Sequence, residues 1–101
     1  MNTIKSTNHD EMIPLKFYLS QNYPNPFIEK TTLKYCVAYK TVVEIKVFDS
    51  EDNFIVTLLK MEQEAGTYEI EFDGADLPGE LYYCRINAGS YNAVKKMILL
   101  K

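Results

Sequence analysis

Two prolines fall within three residues in Gln21-Asn22-Tyr23-Pro24-Asn25-Pro26-Phe27, the stretch that constrains the fold most. Proline fixes φ and lacks an N–H donor, so this stretch fits neither a helix nor a central strand. The flanking asparagines favour turns. The sequence therefore predicts an extended, turn-rich structural corner at residues 21–27, in which Tyr23 and Phe27 plug one end of a β-sandwich.

Outward from this corner, apolar and polar residues alternate in short segments, which is the pattern of half-buried strands. Val43, Ile45 and Val47 give the clearest case, with Glu44 and Lys46 between them. Turn-forming residues separate the segments, and none has helical periodicity. Seven strands are predicted, at residues 16–19, 31–39, 42–49, 54–60, 67–72, 81–87 and 91–100.

These strands predict an all-β fold, a seven-stranded antiparallel immunoglobulin-like β-sandwich. The short connections favour antiparallel neighbours, because parallel strands need long crossover connections. We assign residues 15–101 to this single domain. Residues 1–14 are interpreted as a polar linker or tail that ends at Pro14.

The length and net charge of the chain limit the classes of function that it can have. The 101 residues are enough for one hydrophobic core, and 11 basic against 14 acidic residues give a net charge of −3. An acidic balance argues against nucleic acid or an anionic membrane as the main partner. No apolar stretch approaches the roughly 20 residues of a transmembrane helix. Residues 1–14 lack the apolar core of a secretory signal peptide, so the export signal of an exported protein would lie upstream.

The two cysteines, Cys36 and Cys84, fall in strands that carry the inter-sheet disulfide in some immunoglobulin-like sandwiches. Tyr82, two residues before Cys84, also fits the tyrosine corner of that fold. Alternation places Cys36 outward, between Tyr35 and Val37, and Cys84 inward. Because a disulfide needs a short Cβ separation, opposite facing favours two reduced cysteines over a bond.

No group of residues predicts catalysis. His9 is the only histidine and lies in the polar tail, so the folded domain cannot form a Ser–His or Cys–His pair. Asp49, Glu51, Asp52 and Asn53 gather oxygen atoms, but their spacing does not fit an EF-hand calcium loop, and a solvated hairpin turn is favoured. The sequence therefore predicts a protein that is not an enzyme and that holds no metal and no cofactor.

A basic pair followed by an apolar run forms the last seven residues, Lys95-Lys96-Met97-Ile98-Leu99-Leu100-Lys101. Two interpretations stay open. The lysines are ordinary charges that protect an edge strand from aggregation, or they and the strand edge are read by a receptor. Their clustering favours recognition.

Together these motifs resemble a known family. QNYPNPF at 21–27 is the most specific, followed by TTLKY, VEIKVFD, AGTYEIEFDG, LPGELYY and the terminal KKMILLK. The chain resembles the type A C-terminal sorting domain of the type IX secretion system, a domain also similar to the immunoglobulin-like fold of the flagellar hook-capping protein. Two departures concern turns, because Asp52 stands where the family has a hairpin glycine, and Gly79 comes one residue early.

The resemblance implies a non-catalytic module that directs an N-terminal cargo through the type IX secretion machinery. Its expected location is the outer-membrane surface or the extracellular medium, after export through the periplasm. The terminal residues from Lys95 to Lys101 are the expected sorting signal, and the corner is expected to be a fold signature.

Two other functions stay open from the residues alone. One is an accessory adhesion or carbohydrate-binding sandwich, which would need an exposed aromatic platform. The other is a structural spacer in a multidomain surface protein. The edge of the last strand also offers a route to a homodimer.

Overall fold

A computed structural model of the protein describes residues 16–100 and the backbone of residues 3–6. Predictions that concern other residues, including His9 and Lys101, lie outside the described part of the chain. The strands are β1 (Thr3–Ser6), β2 (Tyr18–Leu19), β3 (Lys30–Val37), β4 (Thr41–Asp49), β5 (Phe54–Gln63), β6 (Gly66–Asp73), β7 (Leu81–Ala88) and β8 (Tyr91–Ile98).

The strands form two four-stranded antiparallel sheets, in the orders β1-β6-β3-β2 and β5-β4-β7-β8. Between them lies one core, so the predicted all-β sandwich is confirmed. The pairings of β3 with β6, of β4 with β7 and of β7 with β8 match those of strands B with E, C with F and F with G in immunoglobulin-like sandwiches.

All seven predicted strands are present, and β1 is an additional one. It pairs with the edge of β6, Ile4 opposite Ile70, within the segment interpreted as a linker or tail. The predicted strand at 54–60 is also too short, because β5 continues to Gln63. The β4–β5 register shifts between Ile45 and Lys46 and again between Val47 and Phe48. Such bulges break the alternation from which strand bounds are predicted.

Side-chain alternation correctly predicts the core. The inward residues of β3, β4 and β7 are all buried: Leu33, Tyr35, Val37, Val43, Ile45, Val47, Tyr82, Cys84 and Ile86. Each large apolar side chain removed from water contributes roughly 1.5–3 kcal/mol of transfer free energy. One polar pair lies among them, because the Tyr35 hydroxyl donates to Oε1 of the buried Gln63 over 2.9 Å. Burial raises the pKa of Tyr35, which keeps this hydroxyl protonated as a donor.

The cysteines remain separate, as predicted. Cys36 is half-buried on the outward side of β3, with its Sγ 3.8 Å from Oγ1 of Thr67. Cys84 is fully buried in β7, and neither cysteine forms a disulfide. Burial raises the pKa of the Cys84 thiol to about 12.

Two turns show how the chain accommodates its unusual residues. Asp52 has φ of 69°, the left-handed conformation that glycine adopts without steric cost. Gly79 has φ of 85°, so the displaced glycine serves a turn that needs one. A Cβ at Gly79 would lie 3.1 Å from the Tyr82 hydroxyl. That hydroxyl donates to the Pro78 carbonyl over 3.0 Å, which is the hydrogen bond of a tyrosine corner.

Replacing Tyr82 by Phe removes this hydrogen bond and is expected to lower the free energy of unfolding by about 1 kcal/mol. Tyr83→Phe is the matched control, because the adjacent Tyr83 hydroxyl has no hydrogen-bond partner within residues 16–100. Urea denaturation of both variants measures the difference. Equal losses in the two variants would contradict a structural role for the Tyr82 hydroxyl.

Thiol labelling should distinguish the two cysteines. At pH 8 the native protein is expected to react at Cys36 and not at Cys84, because Cys84 is buried and its pKa of about 12 leaves little thiolate. Mass spectrometry after iodoacetamide treatment counts the labels. Unfolding in urea should expose the second thiol, whereas native double labelling would show that β7 is not packed as described.

Candidate functional site

The predicted signal lies on a strand at the edge of the second sheet. β8 pairs with β7 on one side, from Leu81 opposite Ile98 to Ala88 opposite Tyr91, and no strand of the described residues pairs with its other side. Its side chains alternate, so Met97 and Leu99 are buried while Lys96, Ile98 and Leu100 are exposed. Lys95 is half-buried on the inward side. The predicted signal thus divides into core residues and accessible residues.

Backbone directions along β8 follow from the contacts of Ile98. Its N–H donates to the Asn25 side chain and its carbonyl accepts from the Phe27 N–H, so both groups point away from β7. Because these directions alternate along an antiparallel pair, the backbone groups of Asn92, Val94 and Lys96 also face the free edge.

The corner at residues 21–27 bonds directly to this edge. Nε2 of Gln21 donates to the Lys96 carbonyl over 2.6 Å, and Oδ1 of Asn25 accepts from the Ile98 N–H over 2.9 Å. The backbone of Phe27 bonds to Ile98 and Leu100 over 2.9 and 2.7 Å. We call these four hydrogen bonds the terminal clamp. They cover the edge from Lys96 to Leu100 and leave Asn92 and Val94 open.

A second set of hydrogen bonds fixes the corner itself. The buried Asn22 donates through Nδ2 to Oγ1 of Thr31 over 2.9 Å and to the Pro24 carbonyl over 3.1 Å. Thr31 donates to the same carbonyl over 2.7 Å. Gln21 also donates to Oδ1 of Asn22 over 2.7 Å. The bonds Tyr23–Pro24 and Asn25–Pro26 are cis.

The corner buries only one of its two aromatic residues. Phe27 is 1% exposed and contacts Phe72, so it plugs the end of the sandwich as predicted. Tyr23 is 81% exposed, so its predicted role as a plug is wrong. Paired residues in a bridge share a face. Tyr23 is bridged to the outward Thr32, whereas Phe27 is bridged to the buried Leu99.

Within residues 16–100, Lys95 and Lys96 form no side-chain ion pair or hydrogen bond. Several lysines elsewhere in the sheets are paired, as Lys34 is with Glu69 and Lys46 is with Glu44, each at 3.6 Å. The two ammonium groups near the open edge are therefore available to an external carboxylate or phosphate.

The oxygen-rich turn is a hydrogen-bonded hairpin. Oδ1 of Asp49 accepts from the backbone N–H of Asn53 and of Glu51, each over 2.9 Å, and Oδ2 accepts from the Asn53 side chain. These bonds, led by that from the Asn53 backbone, lower the pKa of Asp49. They engage the carboxylate within its own turn. Among residues 16–100, no three metal-ligating side chains cluster.

The terminal clamp could not be predicted from the sequence, although the residues that form it are typical of such a role. Gln21 and Asn25 carry amide side chains in a stretch that cannot form regular strand pairs. Such side chains can bond to backbone groups that a neighbouring strand would otherwise pair with. Alternation says nothing about contacts between residues more than 70 positions apart, which only the folded chain brings together.

Comparison with known families agrees with this geometry. The family described as "Secretion system C-terminal sorting domain" matches residues 21–100, from the first residue of the corner to the last described residue. The chain belongs to this family, and it is a C-terminal sorting signal for type IX secretion. No curated protein and no solved structure matches it, so the likeness to the hook-capping protein stays a prediction.

Family membership settles the coarse function. A type IX sorting domain interacts with the secretion machinery, accompanies a cargo in its parent protein and is exported to the cell surface or beyond. Such domains are non-catalytic as a family. In the described part of the chain, no helix is long and apolar enough to cross a membrane.

Hydrogen exchange should show what the clamp holds. Replacing Asn25 by Ala removes the acceptor of the Ile98 N–H, a loss of about 1 kcal/mol of local protection. The Ile98 amide is then expected to exchange about five- to ten-fold faster, as followed by NMR.

Asn25→Asp, which keeps an acceptor oxygen, is the matched control and should retain most of the protection. Amides of the β4–β7 pair should not change in either variant, because the clamp does not touch them. Uniform acceleration across the domain would instead show that Asn25 supports global stability.

Proposed function

We propose that the recognised part of this sorting domain is β8 with the residues that follow it, from Tyr91 to Lys101. The secretion machinery binds two features together: the open edge at Asn92 and Val94, and the ammonium groups of Lys95 and Lys96. The observation that carries the proposal is that this edge strand combines unbonded backbone groups with lysines that have no partner within residues 16–100.

The open edge supports addition of a strand from the receptor. Unpaired N–H and C=O groups on an edge strand are a template for another chain, and main-chain bonds of this kind provide affinity. Between Asn92 and Val94 the strand pairs regularly with β7, without a register shift. The clamp stops such pairing at Lys96, which fixes the register of the incoming strand.

Charge supplies the specificity in this proposal. The chain carries a net charge of −3, so two adjacent cations without internal partners form a local exception. Carboxylates of the receptor would pair with Lys95 and Lys96, and such complementary charges mainly raise the association rate and discriminate between partners. The exposed Ile98 and Leu100 add apolar surface beside them.

The corner acts as the positioning element. Its bonds to Lys96, Ile98 and Leu100 hold the terminal segment against the sandwich, so that the lysines are presented in one geometry. Preorganisation of this kind lowers the entropic cost of binding. The corner itself need not touch the receptor.

The same proposal implies the export route and the destination of the parent protein. The parent protein crosses the periplasm by a separate export signal, and this domain then directs it to the outer-membrane surface or the medium. The domain performs no chemistry in this process, and it binds neither nucleic acid nor a cofactor. Removal of the domain by cleavage after export is compatible with a role that ends at sorting.

A sorting assay tests the proposal. The whole chain is fused to the C-terminus of an exported fluorescent protein in a bacterium with a working type IX system. Reversing both charges by Lys95→Glu and Lys96→Glu is expected to reduce surface or medium fluorescence at least about ten-fold, corresponding to the loss of one to two charged contacts. The fraction retained in the periplasm should rise by the same amount.

The matched control is Lys34→Glu with Lys60→Glu, which gives the same net charge on exposed lysines of β3 and β5, strands that do not pair with β8. Circular dichroism must show that both double variants fold. Normal sorting of the Lys95 and Lys96 variant would contradict the proposal. Equal defects in both variants would mean that net charge, not the terminal signal, is sensed.

Pairing of two copies through the open edge stays a prediction of the same geometry. Two β8 edges would offer only the stretch around Asn92 and Val94, because the clamp covers the rest. Light scattering at high concentration distinguishes monomer from dimer, and a strict monomer would contradict the homodimer.

A further inference from the structure

The two outer faces of the sandwich differ in chemistry. Outward positions of the sheet β1-β6-β3-β2 hold polar residues such as Thr32, Lys34 and Glu69, as expected of a solvated antiparallel face. On the sheet β5-β4-β7-β8, outward positions among charged residues hold Phe48 and Tyr83. The second face therefore combines aromatic and charged side chains.

Strand register arranges these residues in rows. Phe54, Phe48, Tyr83 and Lys96 lie opposite one another across all four strands. In the next row, Lys46 on β4 lies opposite Arg85 on β7, and Arg85 lies opposite Val94 on β8. We name six of these residues the aromatic–cationic face: Lys46, Phe48, Phe54, Tyr83, Arg85 and Lys96.

The cations lie close to the rings. The Arg85 guanidinium is 4.1 Å from the centre of the Phe48 ring, and Nζ of Lys46 is 5.8 Å from that of Phe54. The two phenylalanine rings contact edge to face, with centroids 6.0 Å apart. Arg85 also pairs with Asp52, which holds the guanidinium over the ring. The face thus presents apolar edges and positive charge in fixed positions.

The exposed members contribute little to the core. Phe54 is 55% exposed, and Val94 beside the face is 54% exposed. Their neighbours Ile55, Val56 and Ala93, by contrast, pack against the buried core. Large apolar groups that remain in water after folding, grouped in one patch, are typical of a surface that becomes covered by a partner.

We propose that the aromatic–cationic face docks a protein partner whose surface offers carboxylates among apolar side chains. The inference deepens the proposed function and rests on it, because Lys96 belongs to the recognised strand. It extends the contact from the edge of β8 across β7 and β4 to β5. Aromatic residues and arginine are the side chains that most often dominate binding energy at protein interfaces.

Charge complementarity favours a protein over a membrane as the occupant. The chain has a net charge of −3, which opposes approach to a densely anionic lipid surface. Glu44 and Asp52 already neutralise part of the positive charge at this face. Such a pattern suits a partner with a few carboxylates at matching positions. A stacked glycan is disfavoured, because Arg85 covers the Phe48 ring.

Phe54→Ser tests the inference in the same export assay, with the whole chain as the fused domain. Phe54 lies on β5, the strand farthest from β8 in its sheet, so the proposed terminal signal stays intact. Export is expected to fall about ten-fold. Tyr18→Ser is the matched control, because Tyr18 is 54% exposed on the other sheet and should export normally.

A charge reversal gives an independent arm. Lys46→Glu is expected to reduce export to a similar extent, whereas Lys34→Glu should not. The two lysines are matched, because each pairs with a glutamate at 3.6 Å, on opposite faces of the sandwich. Thermal unfolding of all four variants must show similar midpoints within each pair, so that a folding defect is recognised as such.

The outcomes distinguish the proposed docking face from the proposed terminal signal. A defect in the Lys95 and Lys96 variant, with normal export of Phe54→Ser and Lys46→Glu, would overturn the docking face and leave the terminal signal in place. Normal export of all variants would overturn both. Co-sedimentation with vesicles of phosphatidylglycerol and phosphatidylcholine, abolished by Phe54→Ser, would assign the face to lipid and overturn the protein partner.

Discussion

The four hydrogen bonds of the terminal clamp are the constraint on which the functional end of this molecule depends. β8 is an edge strand, and without the corner its last residues would have partners on one side only. The clamp itself depends on the buried bonds of Asn22 and Thr31, which fix the corner. A short irregular segment thus takes the place that a further strand would have in a longer sheet.

An edge strand with open backbone groups carries a cost, because groups that could bind a receptor could also bind other copies of the chain. Here the cost is limited in two ways. The clamp occupies the backbone from Lys96 onward, and lysines flank the part that stays open. One strand therefore serves two purposes: Met97 and Leu99 complete the core, while the alternate residues face outward.

Local periodicity was sufficient to predict the sandwich and most of its core. Val43, Ile45 and Val47 alternate with charged residues and are all buried, and the same pattern correctly separated Cys36 from Cys84. It failed where the period changes, as in β5, where Leu58 and Leu59 are both buried beside the bulges. The burial of Tyr23 was predicted wrongly for a related reason. An irregular corner has no periodic alternation that shows which side chains point inward. The terminal segment was predicted to be the sorting signal from its own residues, but the side chains that bond to it lie far away in the sequence.

The clamp joins residues 73 and 75 positions apart in the chain. Contacts of such long range form only after the intervening strands have come together. The geometry presented to a receptor is therefore a property of the finished domain and not of the last residues as a peptide. A truncated or misfolded chain lacks that geometry, so recognition of the terminus as proposed above would also report whether the domain has folded.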